Sequence, residues 1–549
     1  MLHFTPAREY QGLPKSGHTM KSFRLCTLLF CLTTLAAFAS EDVQQRSHTR
    51  KPAPKPAPNP LASTIGTILA GPFLARGHWG ISVVGLDGTP IYSLNAHQYF
   101  QPASNAKLFT TAAAMALLPT QSTYSTTAVT SGTIDSTGSL TGDILLLGAG
   151  DPMMSGRSYP YAGKTERPNS PLAALESMVD QIVATGIRKV NGDIIGDDTW
   201  FPWERYAPDW GWDDLEWDYG APVSALTVND NVAFLNIAPS AATGESTTVT
   251  WKPEVPYYTL ENSIVALPGT EPAHPGIDRT PGSKAVRAFG TTNQDGLHLA
   301  IAIEDPAEYA AIALKQLLIA RGVEVNGTAR PRHRLAADTA DFRSEIDQPM
   351  VLYPITLSTI QVPVAGMRVL ATHVSPPIEQ GITVTNKVSQ NLHAELLLHV
   401  LGKLEANDGS IAQGARVIRQ FLVNAGIDPG DFVFFDGSGL SGQDIITPRA
   451  ATTLLTYAAK QPWGERYRAT LPVGGVDGTL SNRFTDPALK DKVFAKTGTL
   501  SEVNALSGYL TAASGKTLVF SILCNNHHPI GDAARVAIDK IVEAIASAN

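Results

Sequence analysis

The sequence predicts a mixed α/β (α+β) domain that is interrupted by a long β-rich insertion. Patterns for two strands and a helix lie near the start of the chain, and patterns for three strands and a helix lie at its end. Between them, residues 131–304 are dense in Gly and Thr and contain short β-prone runs with few long helical patterns. We therefore expect 61–130 and 305–549 to form one discontinuous domain, with one or two inserted β-rich domains over 131–304.

The first sixty residues have the composition of a leader followed by a linker. Two basic residues, Lys21 and Arg24, precede an apolar run that ends at Ala37-Phe38-Ala39, a small-x-small pattern typical of signal-peptidase sites. The run is shorter than the roughly 18 residues of a membrane-spanning helix. We therefore expect residues 1–39 to be a cleaved signal peptide rather than an uncleaved membrane anchor. Pro-rich residues 40–60 are typical of a semi-rigid linker. We expect an exported, periplasmic or extracytoplasmic protein without an integral membrane span, and its start at Met1 or Met20 stays open.

The remaining elements follow from periodicity and turn residues. Strands are predicted at 79–86 and 90–94, and a buried helix is predicted at 107–118. In the middle region, strands are predicted at 143–147, 247–251 and 297–303. Helices are predicted further along, at 306–321, 391–404, 411–425 and 448–459. The end of the chain predicts strands at 492–497, 504–511 and 517–524 and a final helix at 533–548.

Composition excludes several classes of protein. A chain of 549 residues with 43% hydrophobic and 17% charged residues is not disordered. The net charge of −8 argues against a dominant basic surface for nucleic acid. Three cysteines without a Cys-x-x-Cys pair exclude a disulfide scaffold and a thiolate zinc or iron–sulfur site. If the leader is removed, Cys524 is the one cysteine left, and we predict no cofactor and no metal.

The first motif with chemical potential is Ser104-Asn105-Ala106-Lys107, at the start of a predicted helix. A three-residue step places Ser104 and Lys107 on one helix face, about 5–6 Å apart at Cβ. A neutral lysine there can take the serine proton, provided that burial or a nearby cation lowers its pKa. This is the one Ser-x-x-Lys pattern in the chain, although an N-capping serine beside a solvated lysine explains it equally well when it is taken alone.

Two further motifs follow in order. Lys496-Thr497-Gly498-Thr499 comes at the end of a predicted strand, where a lysine and two hydroxyls could hold a substrate carboxylate and Gly498 could let the substrate backbone approach. The alternative is a strand end that runs into a turn. The Ser-x-Asn pattern Ser389-Gln390-Asn391 is common by chance, but it lies between the other two motifs and at a loop-to-helix junction.

In this order the three motifs resemble the serine active-site set of penicillin-binding proteins and serine β-lactamases. The segments around them resemble the class C low-molecular-weight D-alanyl-D-alanine carboxypeptidase/endopeptidases; these segments are 100–107, 148–152, 219–226, 386–391, 436–441 and 471–479. Members of that family carry extra domains between the first and second motifs, which matches the wide separation here and argues against an ordinary β-lactamase. The resemblance implies a penicillin-binding-protein/β-lactamase-like transpeptidase fold.

The resemblance also implies roles for the first two motifs. Ser104 would be the nucleophile that forms the acyl-enzyme, and Lys107 would be its general base. Ser389 would relay a proton to the leaving D-alanine, and Asn391 would hold the substrate amide. Relatives often have Asp in the middle of the second motif, so Gln390 is a departure that we expect to affect local geometry rather than activity.

In the third motif, the resemblance implies that Lys496 supplies positive charge that helps to keep Lys107 neutral. Thr497 and Thr499 would bind the terminal carboxylate of the substrate. The backbone N–H groups of Ser104 and Thr499 would form the oxyanion hole.

The predicted function is therefore a secreted, penicillin-binding serine DD-peptidase that acts on peptidoglycan stem peptides. It would hydrolyse the terminal D-Ala-D-Ala bond, D-amino cross-links, or both, through an acyl-serine, and β-lactams would be inhibitors. The alternatives are a β-lactamase and a non-catalytic peptidoglycan-binding protein of the same fold. The sequence leaves open the carboxypeptidase or endopeptidase preference, the third stem residue and the oligomeric state.

Three other features are ambiguous in the sequence. Five tryptophans interleaved with acids over 200–217 could receive a sugar or an amine, but an aromatic packing cluster is the preferred interpretation. Relatives use an acidic residue of the inserted region to contact the substrate amine, and Asp197 or Asp198 is a candidate for that position. His393 and Glu395 are expected on a packed or solvated helix face.

Overall fold

A computed structural model describes residues 60–549 apart from 164–166, 239–243, 245–246, 268, 270, 294, 337–341 and 530. The leader predicted at 1–39 and the linker predicted at 40–60, except for its last residue, lie outside the described residues. In the described ranges, no helix is both long enough and apolar enough to cross a membrane.

The α-helices of the described residues are α1 (Pro60–Leu69), α2 (Ala106–Leu117), α3 (Ala173–Ala184), α4 (Pro306–Ala320), α5 (Phe342–Ile346), α6 (Ile378–Lys387), α7 (Asn391–Ala406), α8 (Ile411–Asn424), α9 (Pro448–Ala459), α10 (Gly464–Thr470) and α11 (Ala533–Ala548). Side chains cap the starts of α4, α7, α8 and α9. At α9, for example, the Thr447 side chain accepts a hydrogen bond from the Ala450 N–H, and Pro448 occupies the first turn, where its missing N–H costs nothing.

The strands, in chain order, are β1 (His78–Gly85), β2 (Pro90–Leu94), β3 (Thr123–Thr130), β4 (Thr133–Ile134), β5 (Ser139–Thr141), β6 (Ile144–Leu147), β7 (Lys189–Val190), β8 (Ile194–Pro202), β9 (Val232–Ile237), β10 (Val249–Lys252), β11 (Thr259–Asn262), β12 (Val265–Ala266), β13 (Pro275–Asp278), β14 (Ala285–Thr292), β15 (Leu297–Ala302), β16 (Glu324–Val325), β17 (Ala329–Arg334), β18 (Thr359–Gln361), β19 (Arg368–Val374), β20 (Phe432–Val433), β21 (Ile445–Ile446), β22 (Val493–Leu500), β23 (Val503–Thr511) and β24 (Thr517–Asn525).

Strands from 78–94 and from 493–525 form one five-stranded antiparallel sheet of order β2-β1-β24-β23-β22. Alternate residues of β24 point to opposite faces, as the period of two requires. Phe520 and Ile522 pack with α1 and α11, whereas Val519 and Leu523 pack in the larger core that contains α2, α7 and α9. Because both faces are covered, β24 is a nearly continuous apolar run, and the sheet has two hydrophobic cores.

The region between α2 and α6 forms several separate sheets. Its largest sheet has the order β17-β8-β6-β3-β18, with β19 paired to β3, and α3 and α4 pack in the core beside it. A second sheet has the order β10-β9-β15, and a third joins β11, β12 and β13 to β14. The residues between these last two sheets form a separate small core, which includes Leu235, Ile264 and Ile301.

The packing suggests a longer insertion than the predicted 131–304. The predicted return at residue 305 precedes α4, yet α4 packs on β8 and β17, and β18 and β19 still pair with β3. Contacts with α2 resume at α6. We infer an insertion over 123–374; helical periodicity predicts α4 correctly but does not show which sheet the helix covers.

Candidate active site

Ser104 lies in a 3₁₀ turn, Ala103–Asn105, that leads directly into α2. The turn is strained at Ala103, whose φ of 46° is unusual for a residue with a side chain. It is tied to β22, because the Asn105 Nδ2 donates to the Lys496 carbonyl at 3.0 Å. A Cβ at Gly498 would lie 2.6 Å from the Pro102 carbonyl oxygen, so the turn can approach β22 this closely only beside a glycine.

Lys107 is fully buried and contacts three oxygen atoms. Its Nζ lies 2.8 Å from the Ser104 Oγ, 2.6 Å from the Asn391 Oδ1 and 2.8 Å from the Ser438 carbonyl oxygen. The orientation of the Asn391 amide is settled by its other end, because Nδ2 donates to the Tyr219 carbonyl at 2.8 Å. The structure thus brings the first two motifs into direct contact, together with two backbone carbonyls that side-chain patterns do not identify.

The electrostatic environment of Lys107 favours its neutral form. Burial lowers the pKa of Lys107 to about 7, against the opposing influence of Asp436, Glu395 and Asp444. Burial also raises the pKa of Glu395 and raises that of Asp444 well above its usual range. Glu395 and Asp444 therefore favour their protonated forms, and a neutral carboxyl group stabilises a lysine cation less than a carboxylate does.

The Ser438 carbonyl is held in place by a carboxylate-centred loop. The Asp436 side chain accepts hydrogen bonds from the backbone N–H groups of Ser438, Gly439 and Ser441 at 3.1, 2.6 and 2.7 Å. It also accepts one from the Trp210 Nε1 at 2.9 Å. Sequence comparison with the family identified this loop as a landmark without giving it a role. Its Asp-Gly-Ser-Gly sequence is typical of a tight loop folded around a side chain, and this pattern could have indicated the role of the loop.

The second and third motifs meet at Lys496. Its buried Nζ lies 2.8 Å from the Ser389 Oγ and 2.9 Å from the Thr497 carbonyl oxygen. Burial, and then the nearby charge of Lys107, lower the pKa of Lys496 well below its usual range. For Lys107 itself, burial is the main cause of the lowered pKa, which is one of the two causes that the sequence left open; the resemblance implied that Lys496 helps to keep Lys107 neutral.

The two threonines of the third motif lie on an edge strand. β22 pairs with β23 on one side, and on the other its Ala495 N–H donates to the Pro472 carbonyl at 3.0 Å. Further along, the Thr497 Oγ1 is 2.9 Å from the Thr479 Oγ1, and Thr499 is exposed. Thr479, which sequence reasoning did not select, thus lies beside the predicted carboxylate-binding residues.

The tryptophan-rich segment is mixed in character. Trp203 stacks on His333 with ring centres 3.6 Å apart, and Trp217 packs beside the small core of the inserted sheets. Trp212 is 72% exposed, and Trp210 reaches the active-site loop through Asp436. Most of these contacts fit the packing interpretation.

The acidic candidates of the inserted region have basic partners of their own. Asp197 pairs with Arg332, and Asp198 accepts a hydrogen bond from His333 at 2.9 Å. Glu395 is buried and accepts from the Gly437 N–H at 3.0 Å, so it belongs to a packed face. Within the described ranges, no group of three or more His, Cys, Asp or Glu side chains is arranged to hold a metal ion.

Comparison with known proteins extends these observations. Residues 61–339 and 334–547 match the D-Ala-D-Ala carboxypeptidase 3 (S13) family. The chain is 31% identical over 481 residues to a D-alanyl-D-alanine carboxypeptidase of Actinomadura sp. strain R39, covering 85% of this chain and 81% of the relative. It is 26% identical over 443 residues to the D-alanyl-D-alanine carboxypeptidase DacB of Haemophilus influenzae, covering 80% and 83%.

The fold also has a solved counterpart. The crystal structure of penicillin binding protein 4 (dacB) from Haemophilus influenzae superposes with a TM-score of 0.71 at 22% identity, covering 88% of this chain and 98% of that one. The predicted fold class is thereby confirmed, as are the low-molecular-weight penicillin-binding-protein family and the serine-type carboxypeptidase class of enzyme. By sequence over nearly all of its described length, the chain belongs to the D-Ala-D-Ala carboxypeptidase 3 (S13) family.

Proposed function

We propose that this chain is an exported DD-peptidase that cleaves peptidoglycan stem peptides at D-Ala-D-Ala through an acyl-enzyme on Ser104. The observation that carries the proposal is the 2.8 Å contact between the Ser104 Oγ and the Nζ of a buried Lys107 whose pKa is lowered to about 7. The substrate class is supported by the names of the relatives. Binding of β-lactams at Ser104 is supported by a solved β-lactam complex of the Haemophilus influenzae penicillin binding protein 4.

The acylation step follows from how the Lys107 amine is surrounded. A neutral amine has two hydrogens and one lone pair, and the Asn391 Oδ1 and the Ser438 carbonyl are acceptors that take the two hydrogens. The lone pair is then left for the Ser104 hydroxyl, which donates its proton as Oγ attacks the carbonyl carbon of the penultimate D-alanine. We assign stabilisation of the resulting oxyanion to the backbone N–H groups of Ser104 and Thr499.

The tetrahedral intermediate then expels D-alanine. The C–N bond breaks, and the Ser389 hydroxyl, which Lys496 contacts at 2.8 Å, relays to the leaving nitrogen the proton that Lys107 took from Ser104, so that Lys107 becomes neutral again. Lys496, Thr497 and Thr499 would hold the terminal carboxylate of the substrate during this step. Water then attacks the acyl-serine ester, with Lys107 as the base, and regenerates the Ser104 hydroxyl.

The decisive experiment is labelling with a fluorescent penicillin, combined with assay of D-alanine release from a stem pentapeptide. Wild-type protein is expected to be labelled and to release D-alanine, whereas Ser104→Ala is expected to do neither. Ser63→Ala, at an exposed position of α1, is the matched control and should behave as the wild type. Equal labelling of wild type and Ser104→Ala would overturn the proposal.

The finer alternatives need separate measurements. Mass spectrometry of digested muropeptides distinguishes loss of a terminal D-alanine from opening of a cross-link. An acyl-enzyme that hydrolyses within seconds would favour a β-lactamase, and one that persists favours the DD-peptidase. Peptidoglycan binding that survives Ser104→Ala, with no D-alanine released by the wild type, would favour a non-catalytic binding protein.

Export is tested directly at the N-terminus of the mature protein. The small-x-small pattern ending at Ala39 predicts that the exported chain begins at Ser40. Mass spectrometry of the N-terminal peptide from the periplasmic or extracellular fraction would show it. An exported chain that retains residues 1–39 would contradict the cleaved signal.

A further inference from the structure

A single buried carboxylate of the inserted region contacts the second motif. Asp230 lies in the 3₁₀ turn Asn229–Asn231, and its Oδ2 accepts from Arg157 at 2.8 Å and from Arg167 at 2.6 Å. The same carboxylate is 3.3 Å from the Nε2 of Gln390 and 3.3 Å from the Nε2 of His393. One side chain therefore joins two arginines of the insertion to the first turn of α7.

We propose that Asp230 is a positioning residue for the second motif, holding Gln390 and therefore the residues on either side of it. Ser389 needs such support because its φ of 62° is a strained conformation for a residue with a side chain, and strain of this kind persists where the surroundings enforce it. The inference rests on the proposed function, in which Ser389 and Asn391 act during acyl transfer.

A second contact from the insertion acts in the same direction. The Tyr219 carbonyl accepts from the Asn391 Nδ2 at 2.8 Å and so turns the Oδ1 of that amide towards Lys107. Each residue of the second motif thus has its own anchor: Lys496 for Ser389, Asp230 for Gln390 and Tyr219 for Asn391. Two of the three anchors belong to the inserted region.

This arrangement explains the glutamine in the middle of the motif. The Gln390 amide has an N–H to donate to Asp230, and its oxygen accepts from the Leu392 N–H at 3.2 Å, which caps α7. An aspartate at that position would have no donor and would place a second negative charge beside a buried carboxylate. Gln390 and Asp230 are therefore a matched pair.

The charges around Asp230 keep it ionised. Burial by itself would raise the pKa of Asp230, but Arg157, Arg167 and then His393 lower it well below its usual range. Burial lowers the pKa of His393, so at neutral pH this residue donates as a neutral imidazole. The neighbouring Asp218 has its pKa raised by burial and only partly opposed by Arg167.

The first test replaces Asp230 by asparagine, which tolerates the left-handed backbone there, where φ is 54°. The second-order rate of Ser104 acylation by a penicillin is expected to fall by about 10- to 100-fold, the loss that a misplacement of about 1 Å produces. The matched control is Glu304→Gln: Glu304 is also a buried acid of the insertion and pairs with two arginines, Arg205 and Arg279. Equal losses in the two variants would overturn the inference, because both would then reflect a general loosening of the insertion.

The second test uses Gln390→Glu, which removes none of the ion pairs of Asp230. At low pH the introduced carboxyl is protonated and can donate to Asp230 as the amide does, whereas at high pH it is ionised and repelled. The buried position and the Asp230 charge would raise the pKa of the introduced carboxyl, against the opposing influence of Arg157, Arg167 and His393, which lie around the same carboxylate. We expect acylation relative to wild type to fall as pH rises, and a ratio that is constant from pH 5 to pH 9 would overturn the inference.

The two proposals can fail separately. If penicillin still labels Ser104→Ala, the proposed function fails. If labelling depends on Ser104 but is unchanged in Asp230→Asn and in Gln390→Glu, the positioning role alone fails. Should Asp230→Asn not fold, the pH profile of Gln390→Glu still decides the question.

Discussion

The charge state of Lys107 makes a quantitative prediction about the pH dependence of acylation. In the proposed mechanism a neutral Lys107 is the base, and burial lowers its pKa from the usual 10.5 to about 7. At low pH the amine carries a proton and cannot accept the one on Ser104. The rate of acylation should therefore rise with pH and level off once Lys107 is neutral.

The size of the effect follows from the two pKa values. At pH 7 about half of the molecules would have a neutral Lys107, compared with roughly 0.03% if its pKa were the ordinary one. The structure thus increases the neutral fraction of Lys107 by about 10³-fold, which is equivalent to about 4 kcal/mol. Below pH 6 the rate should change by about tenfold per pH unit, and above pH 8 it should be nearly constant.

The assay is the second-order rate of acylation by a chromogenic β-lactam between pH 5 and pH 10. Lys107→Arg should lose acylation at every pH, because a guanidinium cannot be deprotonated. Glu395→Gln should move the midpoint only slightly to lower pH, since Glu395 raises the pKa of Lys107 when it is ionised but favours its protonated form in its buried position. A flat profile, or a midpoint near 10 in the wild type, would refute the neutral-lysine mechanism.

Three further predictions concern individual positions. Gly498→Ala should lower the free energy of unfolding, measured by urea denaturation, by about 1–3 kcal/mol and should also slow acylation. Its control is Gly66→Ala, at an open position of α1, which should raise the free energy of unfolding by up to about 1 kcal/mol. Cys524 is buried, and burial raises the pKa of its thiol to about 12. In protein that lacks residues 1–39, a thiol reagent should therefore not react with the native state but should titrate one thiol after denaturation. Rapid reaction of the native protein would contradict the burial of Cys524. Trp210→Phe should cost about 1–2 kcal/mol by the same urea assay, because it removes the Nε1 hydrogen bond to Asp436, and no loss would mean that the loop holds without it.

Most regular elements could be predicted from periodicity, because amphipathic or buried runs reflect local geometry. The strand predicted at 90–94 and the helix predicted at 533–548 coincide with β2 and α11. α3 was not predicted, since the Gly- and Thr-rich region around it favoured strands, although its buried residues recur with helical spacing. The end of the insertion could not be read from sequence, because a pattern does not reveal which sheet a helix covers.

The candidate site was predictable to the extent that it consists of side chains in short motifs. Ser104 and Lys107 are three residues apart on one helix, so their contact follows from helix geometry. The acceptors at Ser438 and Tyr219 are backbone carbonyls, which every residue has, and only the fold decides which ones reach the site. The link from Asp230 to Gln390 could not be foreseen either, because it joins side chains 160 residues apart in the sequence that only the fold brings together.

In the proposed mechanism, two different features of the structure allow Lys107 to act as a base, and they can be separated experimentally. Burial sets its pKa, whereas the acceptors on Asn391 and Ser438 set the direction in which its lone pair points. Asn391→Ala removes one acceptor but no charge, so the plateau rate of acylation at high pH should fall while the midpoint stays near 7. A midpoint that moved while the plateau stayed unchanged would mean that Asn391 acts on the pKa of Lys107 instead of its orientation.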